Sequence, residues 1–200
     1  MGLALALAAC GPAGTQAPPP GSAPVATPIA SPSLNPPTAN AQSTASTQPT
    51  SPVAIDPSLL AVLPATVDGI EVKESPEAEI AAMAGPELVA VGSAMAAGIA
   101  IDATSGQFVY AVVVRLKPGV MNDSVFRDWR DSYDEGACSQ ANGVAGHAET
   151  DIGGRTVYIG TCNGGARTYH VWLGEQGMLI SASAVGDRRL GEQLMENLRP

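Results

Sequence analysis

The chain has 200 residues, with 22 glycines and 17 prolines against two tryptophans, two phenylalanines and four tyrosines, so it does not read as one uniformly packed globule. Eleven of the prolines and twelve Ser or Thr fall in residues 11–55, while every charged side chain and every aromatic lies at or beyond Asp56. The net charge of −9 therefore sits on residues 56–200, a length suited to one domain. Its ten basic residues are scattered and outnumbered, which argues against nucleic acid as a partner and against attraction to an anionic bilayer. Arg188 and Arg189 form the only adjacent basic pair.

Residues 1–10 end an apolar run, Gly2 to Leu7, with Leu7-Ala8-Ala9-Cys10 followed by Gly11. This run resembles the lipobox of bacterial lipoproteins. The resemblance implies cleavage between Ala9 and Cys10, acylation of the Cys10 thiol, and a membrane partner reached through that lipid. No Lys or Arg precedes Cys10, so residues 1–10 read as a signal peptide that has lost its basic start, unless the match is an accident of an Ala-rich stretch. Residues 11–55, with Pro18-Pro19-Pro20 and Pro36-Pro37, cannot bury enough apolar surface to offset their ordering entropy. They are expected to be a disordered tether. Its root-mean-square reach as a coil would be roughly 40 Å.

Within the domain, Val67 to Val72 alternates as a short strand would, and Ser75-Pro76-Glu77 opens a helix through Met83, ended by Gly85-Pro86. Leu88 to Met95 fits no single element. Ile99 to Ala103 and Phe108 to Lys117 flank a turn and predict a hairpin, with Phe108, Tyr110, Val112, Val114 and Leu116 on one face. Asn122 or Asp123 caps the next helix, where Val125, Phe126, Trp129 and Tyr133 form an apolar stripe. Asp123, Arg127, Arg130, Asp131 and Asp134 read there as surface ion pairs.

Glycine-rich turns then divide the last third into four strands, closed by a helix with Leu190, Leu194, Met195 and Leu198 on one side. Pairing Cys162 with Arg167 and Leu173 with Met178 puts Tyr158, Cys162, Tyr169, Val171 and Ile180 on a core face. The opposite face, with Val157, Ile159, Thr161, Thr168, His170, Trp172, Leu179, Ser181 and Ser183, is expected to face water. In that register His147 and Glu149 point toward the core, so their strand is an edge or is out of register. The predicted class is α+β: an antiparallel meander with two or three helices on one face. That element order resembles the sandwich of secreted PsbP-like and mycobacterial LpqN-like domains, which implies a binding or accessory role.

Cys138 and Cys162 remain an even pair once Cys10 is set aside, and in an exported chain they are expected to form a disulfide worth roughly 3 kcal/mol. Two buried thiols or a redox pair is the alternative. No His-Glu-x-x-His, Gly-x-Ser-x-Gly, nucleotide loop or calcium loop is present, so neither a metal nor a cofactor is expected. The candidate ligand or partner patch is the open face around Trp172 and His170, with Thr161, Thr168, Ser181 and Ser183. Against it stands the plainer reading of a solvated strand face with Trp172 under Leu88 to Met95. The sequence thus predicts a lipid-anchored domain on the extracytoplasmic side of a bacterial envelope that binds a protein or a small molecule. A hydrolase with dispersed carboxylates and a purely structural envelope protein are the alternatives. A concave apolar pocket would favour a small molecule, and a flat patch a protein.

Overall fold

The computed structural model describes residues 53–199, Ala84 excepted. The residues read as a lipobox with Cys10 and as a tether, up to residue 52, lie outside the described residues. The described residues begin just before the compositional boundary at Asp56. Val53 is buried, β1 (Ala54–Ile55) pairs in parallel with Ala94 and Met95, and the Asp56 N–H donates to the Met95 carbonyl at 2.8 Å. Composition does not register a ladder made by main-chain groups.

A 3-10 turn (Pro57–Val62) follows, started by the Asp56 carboxylate accepting from the Ser58 N–H. The run read as one strand, Val67 to Val72, contributes to a two-stranded turn instead: β2 (Thr66–Val67) and β3 (Ile70–Glu71) close over Asp68-Gly69, both left-handed. Next come β4 (Lys73–Glu74), α1 (Pro76–Met83), α2 (Pro86–Val91) and β5 (Gly92–Ile101). The ambiguous stretch Leu88 to Met95 is thus half helix and half strand. The predicted hairpin forms between β5 and β6 (Phe108–Leu116).

Strands β7 (Val144–Ile152), β8 (Arg155–Cys162), β9 (Arg167–Leu173) and β10 (Met178–Val185) make the predicted meander, and β10 returns to pair with β6. The sheet order is β1-β5-β6-β10-β9-β8-β7, with β4 also on β5, so β7, the strand of His147 and Glu149 expected to be an edge or out of register, is an edge strand. The chain leaves β6 in the middle of the sheet and re-enters at the far edge. The segment between them, α3 (Asp123–Cys138), is therefore carried across one face of the meander.

The α+β class with its antiparallel meander stands, but the helices expected on one face divide between two. On one side, Val109, Ala111, Val113, Tyr169, Val171 and Ile180 pack with the 3-10 turn and with α4 (Leu190–Glu196) through Leu190, Leu194 and Met195. On the other, Met95, Val112, Val114 and Leu179 pack with Leu88 and Val91 of α2 and with Phe126 and Trp129 of α3. The face assigned to water is an interior. Thr168, His170 and Ser181 are each no more than 1 % exposed.

One turn corrects the strand register. Cys162 bonds through its N–H to Ala166, not to Arg167, and Thr161 pairs with Arg167, leaving a three-residue loop with Gly165 at φ +84. That is a bulged hairpin, whose left-handed last position favours glycine. Because side chains alternate, the one-residue shift turns β8 over. Tyr158 and Cys162 join the His170 face, and Val157 and Thr161 join the α4 face. Cys138 and Cys162 are joined with their Cα atoms 5.1 Å apart. The bridge pins the last turn of α3 to the His170 face, opposite the side expected.

Candidate functional site

Asn122 starts α3 by accepting from the N–H groups of Ser124 and Val125 at 3.0 and 3.1 Å. The stripe that starts at Phe126 and Trp129 runs on through Tyr133 to Asp134 and Cys138. Asp134 stands four residues before the bridged cysteine and so on the same side of the helix. It belongs to no surface ion pair; it is fully buried against the sheet.

Asp134 Oδ1 accepts from His170 Nε2 at 2.8 Å and from the Thr168 hydroxyl, and Oδ2 contacts His147 Nε2 at 3.0 Å. The Thr168 oxygen in turn accepts from the Gly160 N–H at 3.1 Å. Gly160 is what lets the carboxylate come this close, since a Cβ there would sit 2.6 Å from Asp134 Oδ2. On the far side of the ring, His170 Nδ1 is 2.9 Å from Ser181 Oγ, which also accepts from the Trp129 indole at 2.9 Å.

These bonds have one consistent direction. An ionised Asp134 only accepts, so Nε2 carries a proton; the indole only donates, and Ser181, which accepts from Trp129, keeps its own proton for Nδ1 of a ring that burial holds neutral. His170 is then the neutral tautomer protonated at Nε2, and Asp134 is ionised. The electrostatics agree. Burial pushes the His170 imidazole below its ordinary range, and Asp134, although it favours the charged ring, does not reverse that. Burial raises the Asp134 carboxyl, but the hydrogen bonds from His170 and Thr168 and the neighbouring imidazole N–H dipoles outweigh it and hold it low.

Beside this cluster lies a cavity of about 590 Å³ between α3, the α1–α2 corner and the sheet. Ala82 and Leu88 form one wall, Trp129, Tyr133 and Ala137 another, and Tyr110, Val112 and Ser183 the floor. Tyr133 Oη and Ser183 Oγ are 3.1 Å apart. Burial raises Tyr133 well above the usual phenol range and pushes Tyr110 up to about 12, so both hydroxyls stay neutral donors at physiological pH.

The predicted patch is thus split. Thr168 and Ser183 line the cavity, His170 and Ser181 lie under α3 in the polar cluster, and Trp172 is half-buried against Phe126, with ring centroids 6.2 Å apart. Thr161 is on the opposite face and leaves the patch. Asp134, Trp129, Tyr133 and Tyr110 were not among the candidates. The available signal was the four-residue step from Asp134 to Cys138: a helix bridged at one position must also turn the other toward the sheet.

Ser181, His170 and Asp134 are the residue types of a nucleophile, a base and its orienter. Ser181 Oγ, however, is covered by the Trp129 indole and does not line the cavity, so a substrate carbonyl has no approach to it. The arrangement instead ties a helix to a sheet. Among the described residues no group of three His, Cys, Asp or Glu is placed to hold a metal ion. Arg188 of the basic pair is taken up by Asp68 and by Asp102, the latter at 2.9 Å. Comparison with protein-family models, curated proteins and solved structures finds no significant match to this chain.

The cluster makes stability depend on pH. Unfolded His170 takes a proton near 6.5 and folded His170 resists it, so its contribution is complete above about pH 6.5 and is lost as pH falls below that. Asp134, held low in the fold, adds a second loss below about pH 4. Urea unfolding from pH 8 to 4 should show stability falling from near pH 6.5. Asp134→Asn should cost roughly 3 kcal/mol at pH 7.5, because it leaves buried partners unmatched. A flat pH profile, or a variant as stable as the parent, would contradict the assignment.

Proposed function

We propose that this chain is a lipid-anchored extracytoplasmic binding protein whose domain holds a small, largely apolar molecule. The observation that carries the reading is the cavity itself. At about 590 Å³, with apolar walls and a few convergent hydroxyls, it has the size and character of a small-molecule site. Concavity of this kind favours a small molecule over a flat protein contact.

The anchoring part of the proposal rests on Leu7-Ala8-Ala9-Cys10 and on the charge-free stretch that follows. The Cys138–Cys162 bridge adds support, since disulfides persist in oxidising compartments outside the cytoplasm. Among the described residues no helix is long and apolar enough to cross a membrane. In this reading lipid on Cys10 is the means of attachment, and the tether lets the acidic domain stand off the bilayer.

Titration of the full chain with 1-aminoanthracene, an uncharged apolar fluorophore, should give saturable binding of one molecule per chain. Ala137→Trp, which fills the cavity from an exposed helix position, should abolish it without lowering the unfolding midpoint by more than a few degrees. Binding unaffected by that variant, or none in the parent, would contradict the cavity reading. The anchor has its own test. Intact mass of the chain extracted from bacterial membranes should show an acylated amino terminus at Cys10 and a gain of about two mass units on reduction of one bridge. An unmodified soluble chain would exclude anchoring.

A further inference from the structure

The polar groups of the cavity specify more than apolarity, and the sheet register shows why. Tyr110, Ser183 and Thr168 stand side by side on β6, β10 and β9, because Ser183 pairs with Tyr110 on one side and with Thr168 on the other. All three line the cavity, and Tyr133 hangs over the row from α3. Phe108 and the partly exposed Val185 are the next pair toward the strand ends, and Val112 lies on the inner side. The cavity therefore has an apolar outer end, a band of hydroxyls, and an apolar inner part.

Counting protons across that band leaves two unused. The Thr168 proton goes to Asp134. Tyr133 and Ser183 have two hydroxyl protons between them and make one mutual bond, so one is left over. The Tyr110 hydroxyl makes no hydrogen bond among the described residues, which leaves a second. Two neighbouring donors with no acceptor suit a carbonyl-type oxygen, which has two lone pairs.

Charge narrows the class further. Among the described lining residues Arg167 is the one cation, and it is held at 2.9 Å by Glu192 of α4, a helix packed on the other face of the sheet. Glu87 is the one anion. Gly136 and Ala137, also lining, belong to the last turn of the 16-residue α3, where the helix dipole presents its negative end. Nothing in this lining compensates a carboxylate or phosphate.

We propose that the cavity takes an uncharged apolar molecule bearing a carbonyl-type acceptor, received by Tyr110 and the Tyr133–Ser183 pair, and rejects the corresponding carboxylate. The inference rests on the cavity being a ligand site. It adds the chemical class and the groups that read it, Tyr110, Tyr133 and Ser183.

Three probes of similar length separate the outcomes: 2-undecanone, undecane and decanoate, each titrated against the full chain at pH 7.5 and followed by fluorescence of Trp129 in the cavity wall. The ketone should bind roughly tenfold or more tighter than undecane, since each neutral hydrogen bond contributes a factor of about 3 to 10. Decanoate should bind at least about tenfold weaker than the ketone, because its charge would be buried unpaired. In the triple variant Tyr110→Phe, Tyr133→Phe and Ser183→Ala, which removes every spare donor of the band, the ketone should fall to the affinity of undecane. Unchanged undecane binding by that variant would show the cavity intact. Equal binding of decanoate and ketone, or a ketone preference that survives in the triple variant, overturns the chemical class while leaving the cavity reading in place. No saturable binding of any probe overturns both.

Discussion

A single buried carboxylate fastens the roof of this domain to its floor. Asp134 projects from α3 into a sheet face built of Thr, His and Ser, and it accepts from His170, Thr168 and His147 together. Burying that charge unpaired would be very costly, and burying those sheet residues without acceptors would cost several kcal/mol more. Each side therefore needs the other. With the pairs made, no buried side-chain nitrogen or oxygen among the described residues lacks a partner. The polar face can then serve as an interior although it lacks the apolar content of the opposite one.

The cavity follows from how α3 is held. The helix is fixed to the strands by Phe126 against Tyr158, by the Trp129 and Tyr133 hydrogen bonds, by Asp134, and at its end by the Cys138–Cys162 bridge. These contacts follow one line along the meander. On its flank toward β6, the helix and the α1–α2 corner leave a cavity between them over the sheet. The space left between them keeps its shape because both walls are pinned independently, α3 by its polar cluster and α1 by Glu79, whose carboxylate accepts from the Ala97 N–H of β5 at 3.1 Å. A molecule taken into a preformed cavity of this kind would be spared the cost of ordering its own pocket.

Much of the frame is readable from local pattern. A cap of α3 at Asn122 or Asp123, the β5–β6 hairpin, the four strands of the meander and the apolar stripe of α4 all follow from periodicity and turn residues, which act over a few positions. What escapes is what depends on parity or on distant segments. One residue in the Asn163 to Ala166 turn decides which face β8 presents, and a symmetric loop gives the wrong answer. The Ser, Thr and His face reads as solvated because alternation alone cannot tell water from a helix carrying matching polar groups. Asp134 reads as a surface charge for the same reason: its partners are 34 and 36 residues away on β9. The cavity is further still from local signals, since its lining comes from five separated stretches of chain.

The central claim is that α3 is held by a neutral His170 bonded through Nε2–H to an ionised Asp134. Long-range nitrogen–proton correlation NMR of the imidazole at pH 7 reads this directly. The structure predicts a protonated Nε2 and an unprotonated Nδ1 for His170, with that pattern lost in Asp134→Asn. A ring protonated on both nitrogens, or one carrying its proton on Nδ1, would contradict it.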